Sequence, residues 1–186
     1  MKTLVVKVGG SLLSQKELPV RLQRLLDGTN YSCVIVIVGG GPLVDELRKY
    51  ADTFQLDDSF CHWQAIRLMS ENAAVIDQLL TDFVLTKNIP SEKEARVLLD
   101  ISEWAKQHST LPKNWDTTSD SLAAELSCHV QADELWLLKS KLPASSKVAD
   151  WNTEGLVDKH FVTAADHLKV TVFDLTSDNS LSVSAE

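Results

Sequence analysis

The sequence predicts an α/β fold: a three-layer αβα sandwich around a mainly parallel open sheet, in a single domain over residues 1–186. Three observations predict it. β-Branched apolar runs alternate with segments of helical periodicity. The first two runs end in glycine turns, Val8-Gly9-Gly10-Ser11 and Val38-Gly39-Gly40-Gly41-Pro42. The run from Val34 to Val38 is apolar without alternation, as expected of a strand covered on both faces.

Strand-like runs fall at Thr3 to Val8, Cys33 to Val38, Ala95 to Leu99, Glu134 to Lys139 and Val170 to Asp174. The intervening segments carry apolar residues at helical spacing. Leu18, Leu22, Leu25 and Leu26 form one such face, and Leu43, Leu47, Tyr50 and Ala51 a second. Trp63, Ile66, Met69, Ala73, Ile76 and Leu80 make a longer one. Leu122, Ala123, Leu126 and Val130 make a fourth, with Ser119 or Asp120 as the expected cap. Residues 111–118 and 140–153 read as loops, with Pro112 and Pro143. The charged run from Glu92 to Arg96 reads as a solvated segment.

The chain has 186 residues, 44% of them apolar, which is enough for one sizeable core. Its formal net charge of -8 argues against nucleic acid or an anionic membrane as a general partner. No apolar run approaches the ~20 residues of a membrane helix. The short first apolar stretch ends in a glycine turn and does not read as a signal peptide. Three scattered cysteines do not suit a disulfide framework, so a cytoplasmic setting is expected. Cys61-His62 and Cys128-His129 place adjacent residues on different helix faces, which suits no common metal spacing, and no protein-held metal site is expected.

The chemistry lies at the turns. In doubly wound sheets ligands bind beyond the carboxyl ends of the strands, where both glycine turns fall. Successive backbone N–H groups at glycines form an anion-binding concavity. Lys7 sits between Val6 and Val8 just before the first turn. An ammonium in such apolar company needs an anion or a wet cleft. A third constellation, Asp116-Thr117-Thr118-Ser119-Asp120-Ser121, holds more hydroxyls and carboxylates than a helix cap requires.

Lys7-Val8-Gly9-Gly10-Ser11, then Gly39-Gly40-Gly41-Pro42, then Ser119-Asp120-Ser121-Leu122-Ala123-Ala124 resembles the amino acid kinase superfamily, which includes acetylglutamate, aspartate, carbamate and uridylate kinases. The resemblance implies transfer of the γ-phosphoryl of ATP, with Mg²⁺, to a carboxylate, carbamate or phosphate. It implies that Lys7 stabilises the transferring group and that Asp120 positions a second catalytic lysine. That lysine is Lys159, after Gly155, or Lys139. Gly9, Gly10, Ser11, Gly39, Gly40 and Gly41, with Lys139, form the expected nucleotide-binding set.

Larger members carry a Thr-Asp-Val-Asp-Gly type loop where this chain has Lys139-Ser140-Lys141-Leu142-Pro143. The short length, Gly41 to Asp45, Leu111 to Asp116 and Leu137 to Ser140 resemble the kinases of aminomethylfuran phosphate. That acceptor carries an amine and a phosphate, and Asp45, Asp58, His62 and Asp116 are the expected acceptor-binding residues. A small-molecule substrate and a homo-oligomer are expected. The alternatives are a kinase of an amino acid or nucleoside monophosphate, and a nucleotide-binding module without catalysis.

Overall fold

Two strands at the centre explain the arrangement. β1 (Thr3–Val8) and β2 (Cys33–Val38) pair in parallel, Lys7 opposite Ile37. Their residues alternate between two separate cores. Val5, Ile35 and Ile37 join one; Leu4, Val6, Val34 and Val36 join the other. A sheet that buries both faces must be covered by helices on both, and this one is.

The computed structural model describes residues 2–91, 95–177 and 179–184. After β2 come α2 (Gly41–Phe54), α3 (Asp58–Asp77), β3 (Val84–Thr86) and β4 (Ala95–Leu99). Then follow α4 (Ser102–His108), α5 (Ser119–His129), β5 (Glu134–Lys139), α6 (Phe161–Ala164), β6 (Lys169–Asp174) and β7 (Asn179–Ser184). Helix α1 (Leu18–Asp27) links β1 to β2. The seven strands run β3-β4-β2-β1-β5-β6-β7. All pairs are parallel except β6 with β7. The α1 residues Leu18, Leu22 and Leu26 pack on one face. Residues of α3, α4, α5 and α6 pack on the other. The three-layer sandwich expected from the sequence is therefore present.

Strand order reverses beside β1, which has β2 on one side and β5 on the other. The crevice outside such a switch point is where doubly wound sheets bind ligands. Lys7 and Lys139 close the two strands that flank it.

Two strands and two helices escape the sequence pattern. β3 has three residues, none buried. β7 reads Asn-Ser-Leu-Ser-Val-Ser, too polar to announce itself, and forms the antiparallel edge. Helices α4 and α6 span seven and four residues, too short for a periodic signal. Of the expected solvated run, residues 92–94 lie outside the described residues. Ala95 and Arg96 belong to β4, where the Arg96 guanidinium meets Asp27 at 3.0 Å.

Candidate active site

Three charged side chains meet where β1, β5 and α5 converge. Odd-numbered positions of β1 and β5 face α5: Val5, Leu135 and Leu137 share a core with Leu122 and Ala123. The same parity directs Lys7 and Lys139 toward the start of α5. There the Lys7 ammonium stands 2.9 Å from Asp120 Oδ1. Lys139 Nζ donates to both Asp120 oxygens at 2.8 Å and to the Leu156 carbonyl at 2.6 Å. Lys7 and Asp120 are 3% and 5% exposed, so this is a buried cluster rather than a surface pair.

Its charges do not balance. In direct contact two ammoniums share one carboxylate; the next negative charge, Asp158, acts on Lys139 from beyond the contact while its oxygens take the donors of Thr118 and Ser121. Burial pushes the Lys139 ammonium down to about 8; Asp120 opposes that shift and Lys7 adds to it. Burial would raise the Asp120 carboxyl, but Lys139 and Lys7 outweigh it and hold it below the usual range. A surplus buried charge is costly unless a counter-ion meets it. The arrangement suits an anion.

Asp120 is not the cap of α5. The cap is Thr118, whose hydroxyl accepts from the Asp120 N–H at 3.4 Å. Ser119 and Asp120 are the first two helical residues. A second acceptor explains why the sequence misleads. Asp158, 40 residues on, accepts the Thr118 N–H at 3.0 Å, the Thr118 hydroxyl at 2.7 Å and the Ser121 N–H at 3.1 Å. It also accepts the Ser121 hydroxyl. With the orphan donors met from outside, the Asp120 carboxylate points to the lysines.

The two glycine turns pack on each other. A Cβ on Gly10 would stand 2.5 Å from the Gly41 nitrogen. Gly41 has a φ of +51°, the left-handed region that glycine tolerates. The turns are thus glycine-rich so that two backbones can touch. The Gly9 and Gly39 N–H groups donate to Leu138 O and Val8 O, which continue the sheet. Gly10 opens the short helix after β1 and Gly41 opens α2, positions whose N–H groups have no partner within the helix. Asn72 of α3 donates to the carbonyls of Gly39 and Gly40 at 2.9 and 2.8 Å and fixes the second turn.

Beside the turns lies a cavity of about 160 Å³. Gly10, Gly40, Asp45, Arg48, His62 and Ser119 contribute to its wall. The 111–118 loop forms one side and is clasped to both neighbouring helices. Arg48 of α2 sits 4.8 Å over the Trp115 ring, and Lys113 sits 5.4 Å over Trp63 of α3. The His62 imidazole is buried, and burial pushes it below its usual range; a bond to the Asn114 backbone opposes this.

Of the expected residues, the structure brings together Lys7, Asp120 and Lys139, and lines the cavity with Gly10, Gly40, Gly41, Asp45 and His62. Lys159 lies apart: it is exposed and pairs with exposed Asp116 at 3.1 Å. Neither Asp58 nor Asp116 lines the cavity. Asp58 is an exposed residue in the first turn of α3. Ser11 is exposed with its hydroxyl 3.2 Å from that of Ser140, so the loops after β1 and β5 touch. Sequence reasoning missed Arg48, Asn72 and Asp158. Arg48 could have been found one turn after Asp45 on the same helix face; Asn72 and Asp158 carry no local signal.

A mostly parallel sheet covered by helices on both faces, with lysines flanking its switch point and paired glycine turns beside it, defines an αβα sandwich class. The profile of the amino acid kinase family matches residues 2–113, and the chain belongs to that family. The uridylate kinase of Methanocaldococcus jannaschii is 25% identical over 164 residues, covering 84% of this chain. This chain spans only 66% of that relative's length. The UMP kinase of Ureaplasma parvum shares the fold with a TM-score of 0.66 at 14% identity, over 96% of this chain and 92% of that one. The aspartate kinase of Synechocystis does so at 0.62 and 17%, over 99% and 40%.

Proposed function

We propose that this chain is an ATP-dependent phosphotransferase acting on a small phosphorylated metabolite, most specifically aminomethylfuran phosphate. The carrying observation is the buried Lys7–Asp120–Lys139 cluster with its surplus positive charge, at the switch point and beside the glycine turns. ATP fits this chain in one respect that can be tested on its residues. The paired turns bring the starts of two helices, at Gly10 and Gly41, side by side, and N–H groups at helix starts suit phosphate. Mg²⁺ would be held by the nucleotide's phosphates and water. Both Asp120 oxygens already face lysines, and the described residues hold no group of three or more ligating side chains suited to a metal. Bound there, MgATP supplies the transferable phosphoryl group.

In the proposed reaction, an oxygen of the acceptor's phosphate bonds to the γ-phosphorus. The bond from that phosphorus to the β,γ-bridging oxygen breaks, and ADP and a diphosphate leave. Lys7 and Lys139 offset the charge on the transferring group, while Asp120 keeps both in place. Such catalysis is mostly positioning and electrostatics.

The acceptor reading rests on the cavity. Its volume, about 160 Å³, is close to the roughly 150 Å³ that holds a single benzene ring. Arg48 offers a planar donor for a phosphate and Asp45 a partner for an amine. Uridine monophosphate is the second reading, favoured by the relative's name. We also propose a homo-oligomer, because α2 and α3 expose Leu43, Tyr50, Phe54 and Phe60. Comparing kcat/KM for aminomethylfuran phosphate, uridine monophosphate, aspartate and acetylglutamate tests the acceptor. Aminomethylfuran phosphate should lead by at least about tenfold, a margin that one mispaired polar group readily supplies. A lead for uridine monophosphate overturns the acceptor. No turnover with any acceptor, while ATP still binds, overturns the enzyme.

A further inference from the structure

The segment from Leu156 to His160 touches the charge cluster twice, from two directions. The Leu156 carbonyl accepts from Lys139 Nζ. Two residues on, Asp158 gathers the backbone and hydroxyl donors of Thr118 and Ser121 at the start of α5. Its Oδ1, which takes the Ser121 hydroxyl, also accepts the His160 N–H at 3.1 Å, which fixes the carboxylate within its own turn. One short segment therefore sets the position of both partners of the Lys139–Asp120 pair.

We infer that Asp158 is a positioning residue for the reaction centre, tying the first turn of α5, and with it Asp120, to the segment that holds Lys139. The proposal rests on the phosphotransferase reading for its catalytic consequence, but not for its structural one.

The alternative is a plain helix cap. Capping needs one side-chain acceptor, and Thr118 already provides it. Asp158 accepts from four further donors on two residues that bracket Asp120. That density fixes the first turn rather than merely starting it. Asp158 is also a second negative charge facing Lys139. The charged groups that face Lys139 are Asp120 from α5, Lys7 from β1 and Asp158 from its own segment; the carboxylates hold its proton on and Lys7 works against them. Removing Asp158 should loosen Asp120 and withdraw a charge, and both changes make the Lys139 ammonium easier to deprotonate.

The test is the titration of Lys139, followed by NMR on chain labelled at lysine Cε and assigned with Lys139→Arg. Asp158→Asn should lower the Lys139 midpoint by about half a pH unit or more. It should also cut kcat about tenfold or more, with KM for MgATP changed by less than about threefold, as expected when an interaction of the transition state is lost. A lower melting temperature with an unmoved Lys139 midpoint means that Asp158 only caps the helix, and overturns the proposal. Should Asp158→Asn not fold, Thr118→Val combined with Ser121→Ala removes the two hydroxyl donors and keeps the charge. The midpoint should then fall too, and an unmoved one overturns the proposal. If the unaltered protein transfers no phosphoryl group, the phosphotransferase reading fails, while the titration still decides whether Asp158 positions the pair.

Discussion

Strand β5 carries a buried charge at each end, and the two are treated in opposite ways. At its start, Glu134 is met by hydroxyls and one cation. The Tyr31 and Thr171 hydroxyls donate to it, and Lys169 pairs with it at 2.9 Å. One cation offsets the charge, and three donors meet its two oxygens. At its end, Lys139 shares Asp120 with Lys7, so that the contact cluster holds two cations to one anion, and Asp158, bound to Thr118 and Ser121, acts only from outside it. Both groups are 9% exposed or less. A balanced buried knot pins the sheet together and needs nothing further. An unbalanced one is incomplete until an anion arrives.

The sharpest way to break it is Asp120→Asn. This change leaves two ammoniums around a neutral amide. Removing one partner of a buried pair costs about 3 kcal/mol or more. The variant should melt well below the unaltered protein and should lose turnover at the same time. A normal melt would show that the cluster is wetter than the structure indicates.

Lys139→Met tests the surplus directly. It deletes the excess charge, keeps the Lys7–Asp120 pair and fills similar volume. Turnover should fall on the order of 10²-fold or more, since an electrostatic contact to the transferring group is lost. Thermal stability should hold or rise, because replacing a buried charge by an apolar group is often neutral or stabilising. A melting temperature lowered by several degrees would mean that Lys139 is scaffold like Glu134. Glu134→Gln should do the reverse. It leaves Tyr31, Thr171 and Lys169 poorly partnered, at a cost of about 1–3 kcal/mol. Turnover per folded molecule should stay within about twofold, because a scaffold group makes no contact that changes in the transition state.

How far each end is legible in the sequence differs for a physical reason. Lys7 and the glycine turns announce themselves because a charge among valines and a run of glycines are locally expensive. The parallel sheet is legible because β2 is apolar throughout. Lys139 was in view only as one of two candidates. What decides between it and Lys159 is strand parity together with the switch point, both of which are tertiary. Ser119 and Asp120 look like caps for the same kind of reason, since the group that satisfies the α5 terminus is Asp158, 37 residues beyond Ser121. The Glu134 knot joins residues 31, 134, 169 and 171 and has no sequence signature. β3 and β7 are edges, where burial is too slight to print a pattern. Local conflict is readable; long-range compensation is not.

The smallest effect is one of pH, and its sign distinguishes the two ends. Lys139 is held down at about 8 against an ordinary 10.5. In the proposed reaction Lys139 acts as the ammonium, so the rate should fall as pH rises through about 8, approaching tenfold per unit well above it. Stability runs the other way for this group. Between about 8 and 10.5 the unfolded chain holds a proton that the folded chain has released, so raising pH across that window favours the folded state. Glu134 lies below its ordinary 4.5: burial would raise it, but the Thr171 and Tyr31 hydroxyls and Lys169 outweigh that. Its stabilisation is therefore present at neutral pH and is lost as pH falls through the depressed value. Acid should thus attack the scaffold end, and alkali should silence the site while leaving the scaffold intact. Melts and initial rates from pH 4 to 10, with Lys139→Met run alongside, isolate the lysine. The difference in stability between the unaltered protein and Lys139→Met should shift in favour of the unaltered protein as pH rises from 8 to 10. A difference flat across that window, or a rate unchanged through pH 9, would place the Lys139 proton outside the chemistry.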